Sequence, residues 1–298
     1  MKISEAIDCY YNYISTERRM SAYSVRNYMA ALESFSASLS VDEIEQVMAQ
    51  DVRSWQMRMM DEGLSPATVK LNLTALRSWI RYLRRQKWLA TDIMAKISNP
   101  KLAKRLPVFF REQEVERIYT DDELFPDTFE GRRDRLMLKV LYETGMRRSE
   151  LQGLTEASVD FAAGTVKVLG KRDKERLIPI ENELADNIKC YFSLKREIEG
   201  CSGAFFVQAN GKPMTVAMIY NVVKKYMPLI SNAEKISPHV FRHSFATHML
   251  NEGADLEAIK DILGHANLGV TEIYTHVTRE HLKEAYKHAH PRAQKKKN

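Results

Sequence analysis

The sequence predicts a mainly α-helical fold with a small antiparallel β-sheet, arranged as two domains. Three observations carry that expectation. In residues 1–98 the apolar side chains recur at helical spacing. Residues 158–180 alternate in strand fashion around Gly164 and a G-K-R-D-K turn. Between the halves, N-P-K-L-A-K-R-L-P (99–107) is polar, basic and held out of helix by its prolines, as suits an interdomain linker. A chain of 298 residues is long enough for one large or two ordinary domains, each with its own core. The expected division is therefore a helical domain over 1–98, a linker over 99–107 and an α+β domain over 108–298.

The elements follow in order. Ile3, Ile7, Tyr10, Tyr11 and Ile14 recur as one helix face. Ser24 can cap a helix through Tyr28, Leu32 and Phe35, and a third amphipathic stretch holds Val52, Trp55 and Met59 before Gly63 ends it. Ser65-Pro66 opens the most strongly marked helix, with a serine at the cap and proline in the first turn. Its apolar face comprises Val69, Leu73, Leu76, Ile80 and Leu83. Another face carries Lys70, Arg77, Arg81, Arg84 and Arg85, and the four-and-three spacing of Arg77, Arg81 and Arg84 stacks them on one side. Such a stripe suits a DNA groove or phosphate backbone, although solvated helix faces carry charge runs too, so Lys70, Arg77, Arg81 and Arg84 are candidate DNA-binding residues. In the second half, 132–145 reads as a helix ended by Gly145. The hairpin places Lys171 at its tip, Ala204–Val207 reads as a short strand, and Asn210-Gly211 as a turn. Helices are expected over 215–227, 238–251, 255–263 and 278–289.

Composition narrows the function classes. A hydrophobic content of 44% is ordinary for a globular protein. The net charge of +6 and pI near 9.0 suit an anionic partner. Most of the surplus lies in residues 1–107, where Lys and Arg outnumber Asp and Glu 16 to 11. Three scattered cysteines suggest neither zinc nor a disulfide framework and fit a reducing, cytoplasmic setting. The opening M-K-I-S-E-A-I-D-C-Y lacks a signal-peptide core, and no apolar run is long enough for a bilayer, so no membrane partner is expected.

Chemistry concentrates in five short motifs: T-G-M-R (144–147), L-G-K (169–171), S-P-H-V-F-R-H (237–243), L-G-H (263–265) and I-Y-T-H (273–276). Arg147 and Arg242 suit the two non-bridging oxygens of a phosphate. Lys171, His239 and His265 can move protons, and Tyr274 can attack phosphorus and hold it covalently. Each residue alone has an ordinary explanation: an ion pair of Arg147 with Glu150, a solvated hairpin lysine, a histidine at a helix C-cap, a half-buried tyrosine among 13. Ser237-Pro238 starts a helix and sets His239 and Arg242 three apart on one face near its N-terminus, where free N–H groups and the helix dipole favour an anion. His239, His243 and His248 share that helix. No H-E-x-x-H occurs and no acid lies between His239 and His248, so neither a metal site nor a cofactor is expected.

At these motifs the chain resembles the tyrosine recombinase, or phage-integrase, family, in the order and approximate spacing of its catalytic half. The first half is similar to the family's helical core-binding (SAM-like) domain, and H-A-H-P-R-A (288–293) resembles the Xer branch. The resemblance implies a helical core-binding domain followed by an α+β catalytic domain. It implies that Arg147 and Arg242 clamp the scissile phosphate, that Lys171 is the hairpin lysine, that His239 and His265 are the active-site histidines and that Tyr274 is the nucleophile. The implied function is site-specific recombination of double-stranded DNA through a 3′-phosphotyrosyl intermediate. The Xer reading is chromosome dimer resolution, tied to chromosome partition and cell division. It implies a homo- or heterotetramer on DNA, with a second recombinase and a DNA translocase as candidate partners. Alternatives are an integrase or invertase of a mobile or phase-variable element, a topoisomerase of similar active site, and a non-catalytic DNA-binding regulator. The resemblance implies that the C-terminal stretch, with Leu282, Ala285, Tyr286 and Ala289 on one side, is donated to a neighbouring protomer; the alternative is packing on its own domain. Two positions depart from the family pattern: Arg172 stands where hairpins often carry glycine, and Arg148 follows the first arginine where an apolar residue is usual. Arg148 is expected to face solvent or DNA, or to pair with Glu150.

Overall fold

The computed structural model describes residues 1–101, 108–170, 174–264, 286 and 289–291. Lys171, His265, Tyr274 and most of the expected helix 278–289 lie outside the described residues. The chain divides into two compact units, Met1–Arg105 and Leu106–Asn298. The fold is mainly α-helical with a small antiparallel sheet, as the periodicities predict.

The first unit is built on four helices: α1 (Ile3–Asn12), α2 (Ala22–Ala37), α3 (Ala49–Asp61) and α4 (Pro66–Arg85). A π-helical turn, Tyr13–Glu17, extends α1 and carries Ile14 into the core. Ile3, Ile7, Tyr10 and Ile14 are buried as their spacing predicts, whereas Tyr11, one step round the helix, is exposed. The cap of α2 is Ser21 rather than Ser24. Ser21 Oγ accepts the Ser24 N–H at 3.2 Å, so helix already includes Ser24. For α4 the expectation holds: Ser65 Oγ accepts the Thr68 N–H at 3.2 Å, with Pro66 next. Val69, Leu73, Leu76, Ile80 and Leu83 are buried, and burial of each such aliphatic chain contributes roughly 1.5–3 kcal/mol. Trp55 and Trp79 are buried with their indole N–H groups paired to Ser34 Oγ (3.2 Å) and the Ala6 carbonyl (3.3 Å).

The second unit centres on α6 (Phe129–Thr144), whose Leu136–Tyr142 run is buried on nearly every side. Around it lie α5 (Glu112–Thr120), α8 (Asn182–Arg196), α9 (Val216–Tyr226) and α10 (Pro238–Asn251), which all contribute to one core. The short α7 (Arg148–Gln152) and α11 (Leu256–Leu263) complete it. The sheet runs β1 (Val159–Asp160), β2 (Thr165–Leu169), β3 (Glu175–Pro179), antiparallel throughout, with Val166 opposite Ile178 and Val168 opposite Arg176. The Gly170 N–H donates to the Lys174 carbonyl at 2.8 Å, closing the ladder at the hairpin tip. Residues 204–207 do not form the expected strand. Ala204 and Val207 make isolated bridges, to Thr155 and Pro213, too short a pairing to build a ladder. Tyr286 and Ala289 are buried in their own unit, and the Tyr286 hydroxyl donates to the Glu143 carbonyl at 2.9 Å. For these two residues the C-terminal stretch packs on its own domain.

Candidate active site

Gly145 ends α6 in the left-handed conformation, φ +57°, which glycine alone adopts without strain. An added Cβ would lie 2.7 Å from both Leu263 Cδ2 and Phe245 Cδ1, so both side chains would have to shift. The chain reverses at this point, and Arg147 becomes the N-cap of α7 with extended backbone. Its partner is Glu150, whose carboxylate accepts the Arg147 N–H at 2.8 Å and Nη1 at 2.7 Å. The ordinary explanation for Arg147, an ion pair with Glu150, is thus present. The arginine nevertheless keeps about a third of its side chain open to solvent, at 35% exposure against 5% for Glu150.

Glu150 is also held by a residue that motif reasoning missed. Arg176, on β3, donates Nη1 and Nη2 to the two carboxylate oxygens at 3.0 and 2.7 Å, a bidentate fork, and Nε to the Ile262 carbonyl at 2.7 Å. Burial alone would raise the Glu150 pKa. The Arg176 fork and the hydrogen bonds from Arg147 outweigh it and hold the carboxyl below its ordinary range. A signal for Arg176 existed in the sequence. Strand alternation puts it on the same face as Ile178 and Ile180, which are buried, so a charge there requires a partner.

Arg242, one turn into α10, is buried. Its Nη1 donates to the Gly145 carbonyl at 2.9 Å and its Nη2 to the Leu263 carbonyl at 2.6 Å. These carbonyls sit at the C-terminal ends of α6 and α11, where both helix dipoles are negative. Burial, and then the nearby charge of Arg147, lower the Arg242 pKa to about 10, which leaves it cationic at neutral pH. Two helix ends therefore fix one guanidinium beside a second.

His239 sits at the first turn of the same helix and reaches solvent. Partial withdrawal from water, then the charges of Arg148, Arg242, Lys235 and Arg147, push its pKa below 6.5 and keep the ring neutral at pH 7. Arg148 does not pair with Glu150, which is occupied by Arg147 and Arg176. Its guanidinium lies over the Tyr220 ring at 5.9 Å, with Lys224 at the same distance from that ring. Ser237 starts α10 but makes no side-chain cap, unlike Ser65. At φ −163° its hydroxyl turns inward, is buried and has no hydrogen-bond partner among the described residues.

The structure thus brings together Arg147, Arg242 and His239 of the six sequence-predicted residues. Gly170 and Gly264, the residues immediately before Lys171 and His265, converge on the same place. Gly264 is left-handed at φ +64°, and both glycines border the Arg176 side chain. With Arg147, Arg176 and Arg242 gathered around the one buried carboxylate of Glu150, the described part of the site carries excess positive charge and suits a phosphodiester. Among the described residues no group of three His, Cys, Asp or Glu is placed to hold a metal ion.

The α4 stripe is less uniform than its spacing suggests. Lys70 and Arg81 are exposed. Arg77 donates to Asn99 Oδ1 and the Ile97 carbonyl, both at 2.7 Å, and Arg84 pairs with Asp92 at 2.9 Å across two well-exposed side chains. Two of the four cations thus have partners within their own unit.

Residues 108–281 match the family model described as the phage integrase family, and residues 7–87 match the phage integrase N-terminal SAM-like domain. The chain is 34% identical over 302 aligned residues to the tyrosine recombinase XerC of Bacillus subtilis strain 168, covering 99% of each. It is 36% identical to that of Chlorobaculum parvum, covering 86% of this chain and 82% of that one. Among solved structures, XerH site-specific recombinase bound to palindromic difH substrate superposes with a TM-score of 0.73 at 24% identity, over 90% of this chain and 80% of that one. The Tn1549 transposon integrase in complex with transposon right-end DNA gives 0.73 at 21% identity, over 95% and 98%. These two share the fold.

Proposed function

The chain belongs to the phage integrase family, and from that premise we infer that it is a site-specific DNA recombinase that cleaves and rejoins strands through Tyr274. The observation that carries the reading is the pair of guanidinium groups, Arg147 held by Glu150 and Arg242 held by two helix-end carbonyls, beside a neutral His239. Full-length identity of 34% to a XerC enzyme favours chromosome dimer resolution over integration or inversion. On this reading the protein works on double-stranded DNA in the cytoplasm as a tetramer. A partner recombinase and an activating translocase are then the natural candidates for its regulation. The residues 1–98 domain is read as the core-binding clamp, with Lys70, Arg77, Arg81 and Arg84 toward DNA, residues 99–107 as the linker, and 108–298 as the catalytic domain.

The chemistry follows from the site. Arg147 and Arg242 bind the non-bridging oxygens of the scissile phosphate and stabilise the charge that builds on them in the pentacovalent transition state. The Tyr274 hydroxyl, with an unperturbed pKa of about 10, loses its proton to the neutral His239 ring as its oxygen bonds to phosphorus. The P–O5′ bond breaks, and Lys171 delivers a proton to the departing 5′-oxygen, a role typically worth about 10²–10⁴ in rate. His265 hydrogen-bonds the phosphate. The product is a 3′-phosphotyrosyl link and a free 5′-hydroxyl. The bond energy stays in that link, so a 5′-hydroxyl from another duplex reverses the step without ATP.

A nicked suicide duplex carrying a candidate recombination site tests this directly. In EDTA, on a denaturing gel, the wild type should form a covalent protein–DNA adduct and Tyr274→Phe should bind without forming one. An adduct from Tyr274→Phe would remove Tyr274 as the nucleophile. Specific binding by the wild type with no adduct under any partner addition would favour the non-catalytic regulator.

A further inference from the structure

Arg176 belongs to none of the motifs, yet three of the segments that carry them converge on its side chain. Its fork closes on Glu150, which in turn holds Arg147 through both the backbone N–H and the guanidinium. Its Nε takes the Ile262 carbonyl, the residue before Leu263, whose own carbonyl anchors Arg242. Gly264 leaves room for it, and Gly170 borders it in ordinary contact. A Cβ at Gly264 would meet Arg176 Cδ at 3.1 Å and Nε and Nη1 at 3.3 Å, and one at Gly170 would meet Nη1 at 3.7 Å. Gly264 precedes His265 and Gly170 precedes Lys171. All three guanidinium nitrogens are engaged and 11% of the side chain is exposed, so Arg176 is not available to a substrate. The arrangement suits a planar fork: a lysine's compact ammonium cannot span the Glu150 carboxylate and the Ile262 carbonyl in this fixed geometry.

We propose that Arg176 is a positioning residue that sets the Lys171 hairpin, the α11 end leading to His265, and Arg147 in register with one another. The inference rests on the recombinase reading and deepens it. Nothing else among the described residues ties β3, α7 and α11 through one side chain. The core would still form without it, because the sheet and α11 bury their own apolar faces in Val166, Val168, Ile178, Ile259, Ile262 and Leu263. A variant that keeps the charge but loses the fork, such as Arg176→Lys, should therefore act on the alignment of catalytic groups more than on folding, and a displacement of about 1 Å at such groups costs on the order of 10²-fold in rate.

The test compares wild type, Arg176→Lys and Tyr274→Phe on two nicked suicide duplexes. One carries the ordinary scissile phosphate and the other a bridging 5′-phosphorothiolate, whose leaving group needs no proton from Lys171. Rates are taken in single turnover, well below each variant's thermal midpoint, with half-site affinity measured in parallel. Arg176→Lys should cleave the ordinary duplex on the order of 10²-fold more slowly, bind the half-site as the wild type does, and recover part of the loss on the phosphorothiolate. Glu150→Asp, which keeps both charges but shortens the reach, is the second variant should Arg176→Lys fail to fold, and should show the same split. Wild-type cleavage by either folded variant, or equal losses on both substrates together with lost binding, would overturn the proposal and leave Arg176 a stabilising residue. Absence of any Tyr274 adduct in the wild type would instead remove the recombinase reading, and this inference with it.

Discussion

Gly145 is the point at which backbone conformation, packing and the proposed phosphate-binding Arg242 meet, and Gly145→Ala is the perturbation that separates them. A non-glycine residue at φ +57° costs about 1–2 kcal/mol. The new methyl would lie 2.7 Å from Leu263 and from Phe245, so two core side chains must shift, which typically costs about 1–3 kcal/mol more. The combined loss of about 2–5 kcal/mol should lower the unfolding midpoint of the second unit by on the order of 10 °C, taking about 2–4 °C per kcal/mol for a domain of this size. Gly253→Ala is the control. Gly253 has φ +83° but nothing within 4 Å of an added Cβ, so it should lose only the conformational part. Calorimetry on the full chain reads both. Cleavage of the suicide duplex, measured where each variant is folded, should fall for Gly145→Ala alone, because the Gly145 carbonyl that orients Arg242 shifts with the strained turn. Equal midpoint losses for the two variants would refute the packing argument, and unchanged cleavage by a destabilised Gly145→Ala would refute the link to Arg242.

Glu150 and His239 give opposite acid responses. The Glu150 pKa is held below 4.5, so its contribution to stability is fully present above that value and is lost as pH falls through the lower folded value. Glu150→Gln should therefore destabilise strongly at neutral pH, by about 3–5 kcal/mol for a broken buried pair, and the gap from wild type should narrow in acid denaturation scans below about pH 4.5. A gap independent of pH would refute it. The His239 pKa is held below 6.5, so a base at that position stays active below pH 6.5, and the acid limb of the cleavage rate should fall beneath it. Arg148→Val removes a neighbouring positive charge and should move that limb upward; an unmoved limb would exclude His239 as the group titrating. On α4, Arg81→Ala should weaken half-site binding and reduce the salt slope by about one, with no loss of stability. Arg84→Ala should cost at most about 1 kcal/mol through its exposed Asp92 pair, and equal binding by both variants and wild type would remove the stripe from the DNA interface.

What was legible in the sequence, and what was not, divides by the range of the interaction. Signals that act within one turn were readable. Ser65-Pro66 starts α4, Gly145 and Gly264 end α6 and α11, and the spacing of Leu73, Leu76, Ile80 and Leu83 marks a buried face. Where two local solutions competed, the reading slipped by a turn: Ser21 and Ser24 are three apart, and either could cap α2 until the hydrogen bond decides. Residues 182–196 carry a readable helix signal of the same kind, since Leu184, Ala185, Ile188, Tyr191 and Phe192 recur at helical spacing and are buried. The site itself was legible as motifs but not as an arrangement. Glu150 and Arg176 lie 26 residues apart on a helix and a strand, and no periodicity joins them. Yet Arg176 falls on the face of β3 occupied by buried Ile178, and a buried charge there is tolerable only if something in the fold answers it. A residue that breaks its own element's pattern is thus a pointer to a long-range partner. Here the partner, Glu150, also holds Arg147, which makes the break in alternation as informative about the candidate site as the motifs around it.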